Sequence, residues 1–237
     1  MQSHDPRQPS PNAEALGVEQ LAAMRGVFMR RVYGHLAAAI IAFTGIEILL
    51  FKTGAAQAIT KFVVGVNWLL ILGGFMVVGW MGRRIAYSAG SISSQYGGLF
   101  IYVLGQSIIF APMLVIANAY APGAIESAAL VTLIGFTLLT MVALSMRQDF
   151  SFLGGLLRWA GIVALLAIVG GVIFGFELGT WFSVGMVALA GAAVLYDTQK
   201  ILVTFPDERY VGAALELFAS IALMFWYVLR LLMGSRR

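Results

Sequence analysis

Three residues with usable chemistry stand where two apolar runs meet. Asp197 lies inside the end of AAVLYDTQKILVTF, residues 192 to 205, and Glu216 and Ser220 lie inside the start of YVGAALELFASIALMFWYVLRLLMG, residues 210 to 234. A carboxylate among apolar residues is costly to ionise, so it calls for a protein partner or a water-filled cavity. The loop joining the runs, VTFPDERY, is short, which predicts antiparallel neighbours whose depths can be compared. Asp197 and Glu216 each sit about five residues from the shared boundary, or roughly 7 Å at the helical rise. Ser220 follows Glu216 by one turn on the same face and adds a hydroxyl. Two carboxylates in a low-dielectric site do not both ionise readily, so the pair responds to pH. Ionised, they suit a hard cation such as Ca²⁺; protonated, they can bond to one another and draw the helices together. The expectation is therefore a gate and pH sensor made of Asp197, Glu216 and Ser220. Asp197 and Glu216 would serve as transient Ca²⁺ ligands, and no resident cofactor is expected. A plainer reading pairs Asp197 with Lys200 at i+3 and extends Glu216 to the boundary.

Other polar residues fall within apolar runs. Arg83 and Arg84 end the second run on the same predicted side and are candidate counter-charges. Glu47, Gln106 and Asn118 are candidate pore-lining residues, although interhelical hydrogen bonds account for Gln106 and Asn118 equally well. His35 and Glu47 share one run but stand roughly 18 Å apart along it, too far to form one site. His35 alone is a weaker candidate sensor. Arg230 is expected to snorkel toward headgroups.

The elements that position these residues follow from composition. In 237 residues, 60% are hydrophobic and only 11% charged, which describes an all-α integral membrane protein rather than an ordinary globular domain. Seven apolar runs of spanning length are predicted, at residues 32–52, 61–81, 96–120, 127–145, 152–176, 180–202 and 210–234. Pro112 predicts a kink or local break in the third. Gly171 and Gly175, at small-xxx-small spacing, predict close helix packing. Residues 1–24 are expected to be a disordered to interfacial N-terminal segment, with a short amphipathic helix beginning at Val18 and reaching Arg31. Residues 25–237 form the membrane domain. The N-terminal stretch is polar and Pro-containing, unlike a cleavable signal peptide.

The Lys and Arg residues lie between apolar runs, so the formal charge of +4 reads as a topology signal rather than a nucleic-acid surface. With the N-terminus cytoplasmic, that side collects Arg25, Arg30, Arg31, Arg83, Arg84, Arg147, Lys200 and Arg209, against Lys52 and Lys61 opposite. Arg236 and Arg237 break the pattern. There is no cysteine, which excludes disulfides and thiolate chemistry. No nucleophile stands at helical spacing from a base, and the only histidines are His4 and His35, so no enzyme is expected. The last run contains no lysine for a retinal Schiff base.

Three segments carry a family resemblance: VYGHLAAAIIAFTG in the first run, RQDFSFLGGLL before the fifth and VLYDTQKI closing the sixth. Over residues 25 to 234 the chain resembles the Bax inhibitor 1-like family, also called transmembrane Bax inhibitor motif proteins, in its bacterial branch. The resemblance implies seven transmembrane helices, with two three-helix layers around a central C-terminal helix, in a bacterial inner membrane. It implies a pH-sensitive calcium leak latched by an aspartate on helix six and another on helix seven. The first falls on Asp197. The second falls on Ser220, which leaves Glu216, one turn nearer the boundary, as the candidate substitute. The expected partners are the lipid bilayer, Ca²⁺ and protons. The resemblance also implies the alternative of a non-conducting regulator that binds a membrane protease or another membrane protein.

Overall fold

A computed structural model describes residues 11–66, 68–88, 91–145 and 150–234. The described chain is helical throughout: α1 (Pro11–Lys52), α2 (Ala55–Val64), α3 (Trp68–Ser88), α4 (Ile92–Tyr120), α5 (Ala124–Ser145), α6 (Phe152–Phe174), α7 (Thr180–Thr204), a 3₁₀ turn (Asp207–Arg209) and α8 (Tyr210–Gly234). Among the described residues, six helices are long and apolar enough to cross a membrane: the Ala23–Lys52 part of α1, then α4, α5, α6, α7, and α8 together with its preceding turn. Helices are the natural solution here, because lipid offers no partner for backbone amides and carbonyls and a helix satisfies its own.

The C-terminal helix is the centre. α8 packs against α1, α3, α4, α5 and α7, and Val211, Leu215, Leu217 and Leu229 on it are fully buried. Lipid tails are as apolar as leucine, so close packing and polar contacts, rather than escape from water, hold such a bundle together. The first turns of α8 suit that requirement: Gly212, Ala213 and Ala214 are small and buried. Further along, Phe110 of α4 meets Trp226 edge-on at 5.0 Å and stacks on Phe225 at 5.6 Å, while Phe43 of α1 contacts Phe110 at 5.3 Å. α6 is the outermost helix, touching mainly α7 and, slightly, α3.

Several expectations are corrected. The segment from Val18 to Arg31 is not a separate helix, and residues 11–17 are not irregular: both belong to the continuous α1. Residues 1–10, and with them His4, lie outside the described residues. The second apolar run does not form one helix over 61–81. α2 ends at Val64, with the Gly65 amide bonded back to the Phe62 and Val63 carbonyls, and α3 starts afresh at Trp68. α4 passes through Pro112 without a break, since neighbouring helices support the ladder where proline removes a donor. Gly175 is the left-handed C-cap of α6, at φ 73°, with its amide on the Gly171 carbonyl. The Gly171 and Gly175 spacing is therefore a helix stop. Arg230 reaches the connection between α6 and α7, donating to the Leu178 carbonyl at 2.9 Å. Arg147, Arg236 and Arg237 lie outside the described residues.

Candidate functional site

One end of the bundle gathers most of the described basic residues, and long-range contacts fix which helix ends meet there. Gln95 of α4 donates to the Glu208 carbonyl at 2.9 Å and accepts from the Gly212 amide at 3.3 Å, pinning α4 to the start of α8. Arg25 of α1 donates to the Phe205 carbonyl and to Asp207, both at 2.8 Å, and to the Val203 carbonyl at 3.2 Å. It thus caps carbonyls at the end of α7, which have no intrahelical partner of their own.

Within that frame the Ser220 hydroxyl donates to Asp197 Oδ2 at 2.5 Å. Both residues are buried, at 9% and 6% exposure, and the bond crosses directly from α7 to α8. Glu216, half-buried one turn nearer the basic end, lies close enough to act on the Asp197 charge, as do Lys200 and Arg83. The predicted trio is thus brought together, with Ser220 making the direct bond. Arg83 turns its guanidinium toward the Gly79 carbonyl and also acts on the buried Tyr102. Arg84 instead stacks over Trp80 at 4.9 Å. Lys200 Nζ lies over Tyr196 at 5.9 Å and over Phe205 at 5.7 Å.

The candidate pore-lining residues divide. Gln106 is buried beside Tyr102, and Asn118 is exposed near the end of α4. Glu47 is 6% exposed, and neither of its oxygens has a hydrogen-bond partner among the described residues. His35 is an interhelical staple. The Arg31 carbonyl, 2.7 Å from Nδ1, can only accept, so Nδ1 carries a proton, and Nε2 shares a hydrogen bond with the Tyr96 hydroxyl at 2.6 Å.

Sequence reasoning missed several polar groups in this region. Tyr102, one turn before Gln106 and within electrostatic reach of Arg83 and Glu216, was findable from its i, i+4 spacing to Gln106. The hydroxyls of Tyr33, Thr140 and Thr198 lie beside one another across α1, α5 and α7, and none makes a well-formed hydrogen bond to a described residue. They carry no sequence signal, because one threonine in an apolar helix usually bonds within its own helix.

A family model described as inhibitor of apoptosis-promoting Bax1 matches residues 25–237. The chain belongs to the Bax inhibitor family. Bax inhibitor 1 of Homo sapiens is 29% identical over 164 residues, covering 66% of this chain and 68% of that protein. Bax inhibitor 1 of Sus scrofa is 30% identical over 133 residues, covering 53% and 54%. In this Bax inhibitor-family chain the described part of RQDFSFLGGLL, from Phe150 onward, meets VLYDTQKI in space. The Phe150 amide donates to Gln199 Oε1 at 2.6 Å. Gly154 lies so near Tyr196 that an added Cβ would come within 2.9 Å of the ring. Both contacts fall on residues close to Asp197 in LYDTQ.

Proposed function

We propose that this Bax inhibitor-family membrane protein is a passive, proton-modulated Ca²⁺ leak gated where α7 meets α8 at Asp197. The observation that carries the reading is the buried Ser220–Asp197 hydrogen bond between two helices, with Glu216, Lys200 and Arg83 in electrostatic range. A serine in this position donates and a carboxylate accepts, and such a bond is roughly twice as strong when the acceptor is ionised. Protonating Asp197 weakens that bond and releases Arg83 and Lys200, so the α7–α8 contact loosens as pH falls. This sign is opposite to that of a two-carboxylate latch, in which protonation closes the pair. Glu216 acts at the mouth of the site as a second oxygen donor for the passing cation, not as the hydrogen-bond partner.

The reading takes α3 as a seventh span, 21 residues long, with two three-helix layers around α8. It places the N-terminus and the basic end in the cytoplasm of a bacterium. The direct test is Ca²⁺ flux into liposomes holding the purified chain. Flux above that of protein-free liposomes, varying between pH 5 and 8, supports the leak, and none at any pH refutes it.

A second reading has its own observation. At 42 residues, α1 extends about 63 Å, roughly twice the hydrocarbon thickness, so its first turns project beyond the bilayer. A regulator would use that projection to bind a membrane-bound protease or another membrane protein. Co-purification of a protease that is lost on deleting residues 1–20, together with no Ca²⁺ flux, would favour this reading.

A further inference from the structure

The polar group least explained by the gate is an arginine on the outermost helix. Arg158 of α6 is exposed and makes no hydrogen bond, ion pair or ring contact with any described residue. Its depth follows from the seam between α6 and α7. The Phe150–Gln199 bond sets the beginning of α6 level with Gln199, already a turn inside the end of α7 at Thr204. Arg158 lies about 9 Å further along α6, within the hydrocarbon. It follows Gly154 by one turn, on the flank of the face that Gly154 presents to Tyr196.

A bare guanidinium at that depth is costly, so it must reach a counter-charge. The backbone aims it. Side chains on a helix tilt toward the N-terminus, which for α6 is the basic end, so the long Arg158 chain runs back toward the headgroups of that leaflet. Its planar fork matches a phosphate bidentately. Lys200 stands across the seam, over the same Tyr196 ring, as a second cation. Trp159, 66% exposed, is an amphipathic anchor beside it. Exposed Phe152, Leu156 and Ile162 offer an apolar surface for acyl chains.

A carboxylate on a second copy of the chain fits poorly. The described acids within the spans, Glu47, Asp197 and Glu216, are buried or half-buried. Glu126 and Glu177 lie at the opposite ends of α5 and α6, and Asp207 and Glu208 lie in the turn at the very start of the last span, with Asp207 already paired to Arg25.

We infer that Arg158, with Lys200 across the α6–α7 seam, forms a binding site for an anionic phospholipid of the leaflet at the basic end. The probe is phosphatidylglycerol against phosphatidylcholine, titrated onto the detergent-purified full chain and followed by native mass spectrometry. Wild type retains phosphatidylglycerol in preference, Arg158→Gln weakens that binding about fivefold, and Arg158→Lys retains most of it. Arg158 makes no hydrogen bond, ion pair or ring contact with a described residue, so Arg158→Gln should unfold close to the wild-type temperature in phosphatidylcholine nanodiscs. Unchanged phosphatidylglycerol binding by Arg158→Gln overturns the site. A change in oligomeric state on that substitution, with lipid binding unchanged, also overturns it and points to a protein carboxylate as partner.

Discussion

Asp197 and Ser220 make the shortest link between the two helices that the proposed gate must separate. Removing the donor with Ser220→Ala leaves a buried carboxylate oxygen without its bond, a loss of about 1–3 kcal/mol. The expected outcome is a lower unfolding temperature together with a faster basal Ca²⁺ leak. A lower temperature with unchanged flux would make the bond purely structural. Glu47 presents the opposite case, since its two buried oxygens have no described partner. An unpaired buried carboxyl is a net cost, so Glu47→Leu should raise the thermal midpoint, as differential scanning fluorimetry in detergent would show. Much of this was legible in the sequence. A lone aspartate in LYDTQ and a glutamate and serine one turn apart at matching depth were enough to place α7 against α8. Which of the two faced Asp197 was not legible, because a one-turn choice depends on helix rotation, which loop length does not fix. Gln95 was overlooked because a residue on a distant helix shares no local spacing with the site.

The joins between helices carry the next level of control. α6 is tied to α7 through Gly154 against Tyr196 and Phe150 against Gln199, so changes in α6 bear directly on the Asp197 segment. Gly154→Val would drive side-chain atoms into the Tyr196 ring, and overpacking of this kind costs about 1–3 kcal/mol. The expected outcome is a matching loss of stability in thermal melts, whereas Gly155→Val, at a glycine with open space around it, should melt like wild type. Arg25 joins α1 to the α7–α8 turn. Its ion pair with Asp207 is partly exposed, at 30% and 42% for the two side chains, so the pair itself is worth little, under about 1 kcal/mol. The carbonyl contacts of Arg25 add to it without depending on the charge of Asp207. Arg25→Ala should therefore cost more stability than Asp207→Asn, and high salt should remove a larger share of the Asp207→Asn effect. The break after Val64 escaped the sequence reading because hydropathy runs unbroken through Gly65. α1, conversely, absorbed a segment expected to be separate, since nothing between Arg31 and the first apolar run stops a helix.

Seen as one body, the protein is a bundle whose last helix is its core and whose sixth is its rim. α8 packs against α1, α3, α4, α5 and α7, while α6 touches mainly α7. The division of basic residues between the two ends agrees with the charge pattern of the sequence, because alternating helix directions bring Arg25, Arg31, Arg83 and Lys200 to one end and leave Lys52 and Lys61 at the other. Membrane insertion reads from composition, whereas the centrality of α8 does not read from its hydropathy, which resembles that of α5, and enters the sequence only through the family resemblance. The central claim is that the charge on Asp197 controls passage of Ca²⁺ between α7 and α8. The measurement that bears on it most directly is Ca²⁺ flux in proteoliposomes from pH 5 to 8 for wild type and Asp197→Asn. The account predicts wild-type flux that rises as pH falls and, for Asp197→Asn, flux that is high at every pH because the charge-assisted bond is absent. A pH profile that is flat in both proteins, or unchanged by the substitution, would contradict it.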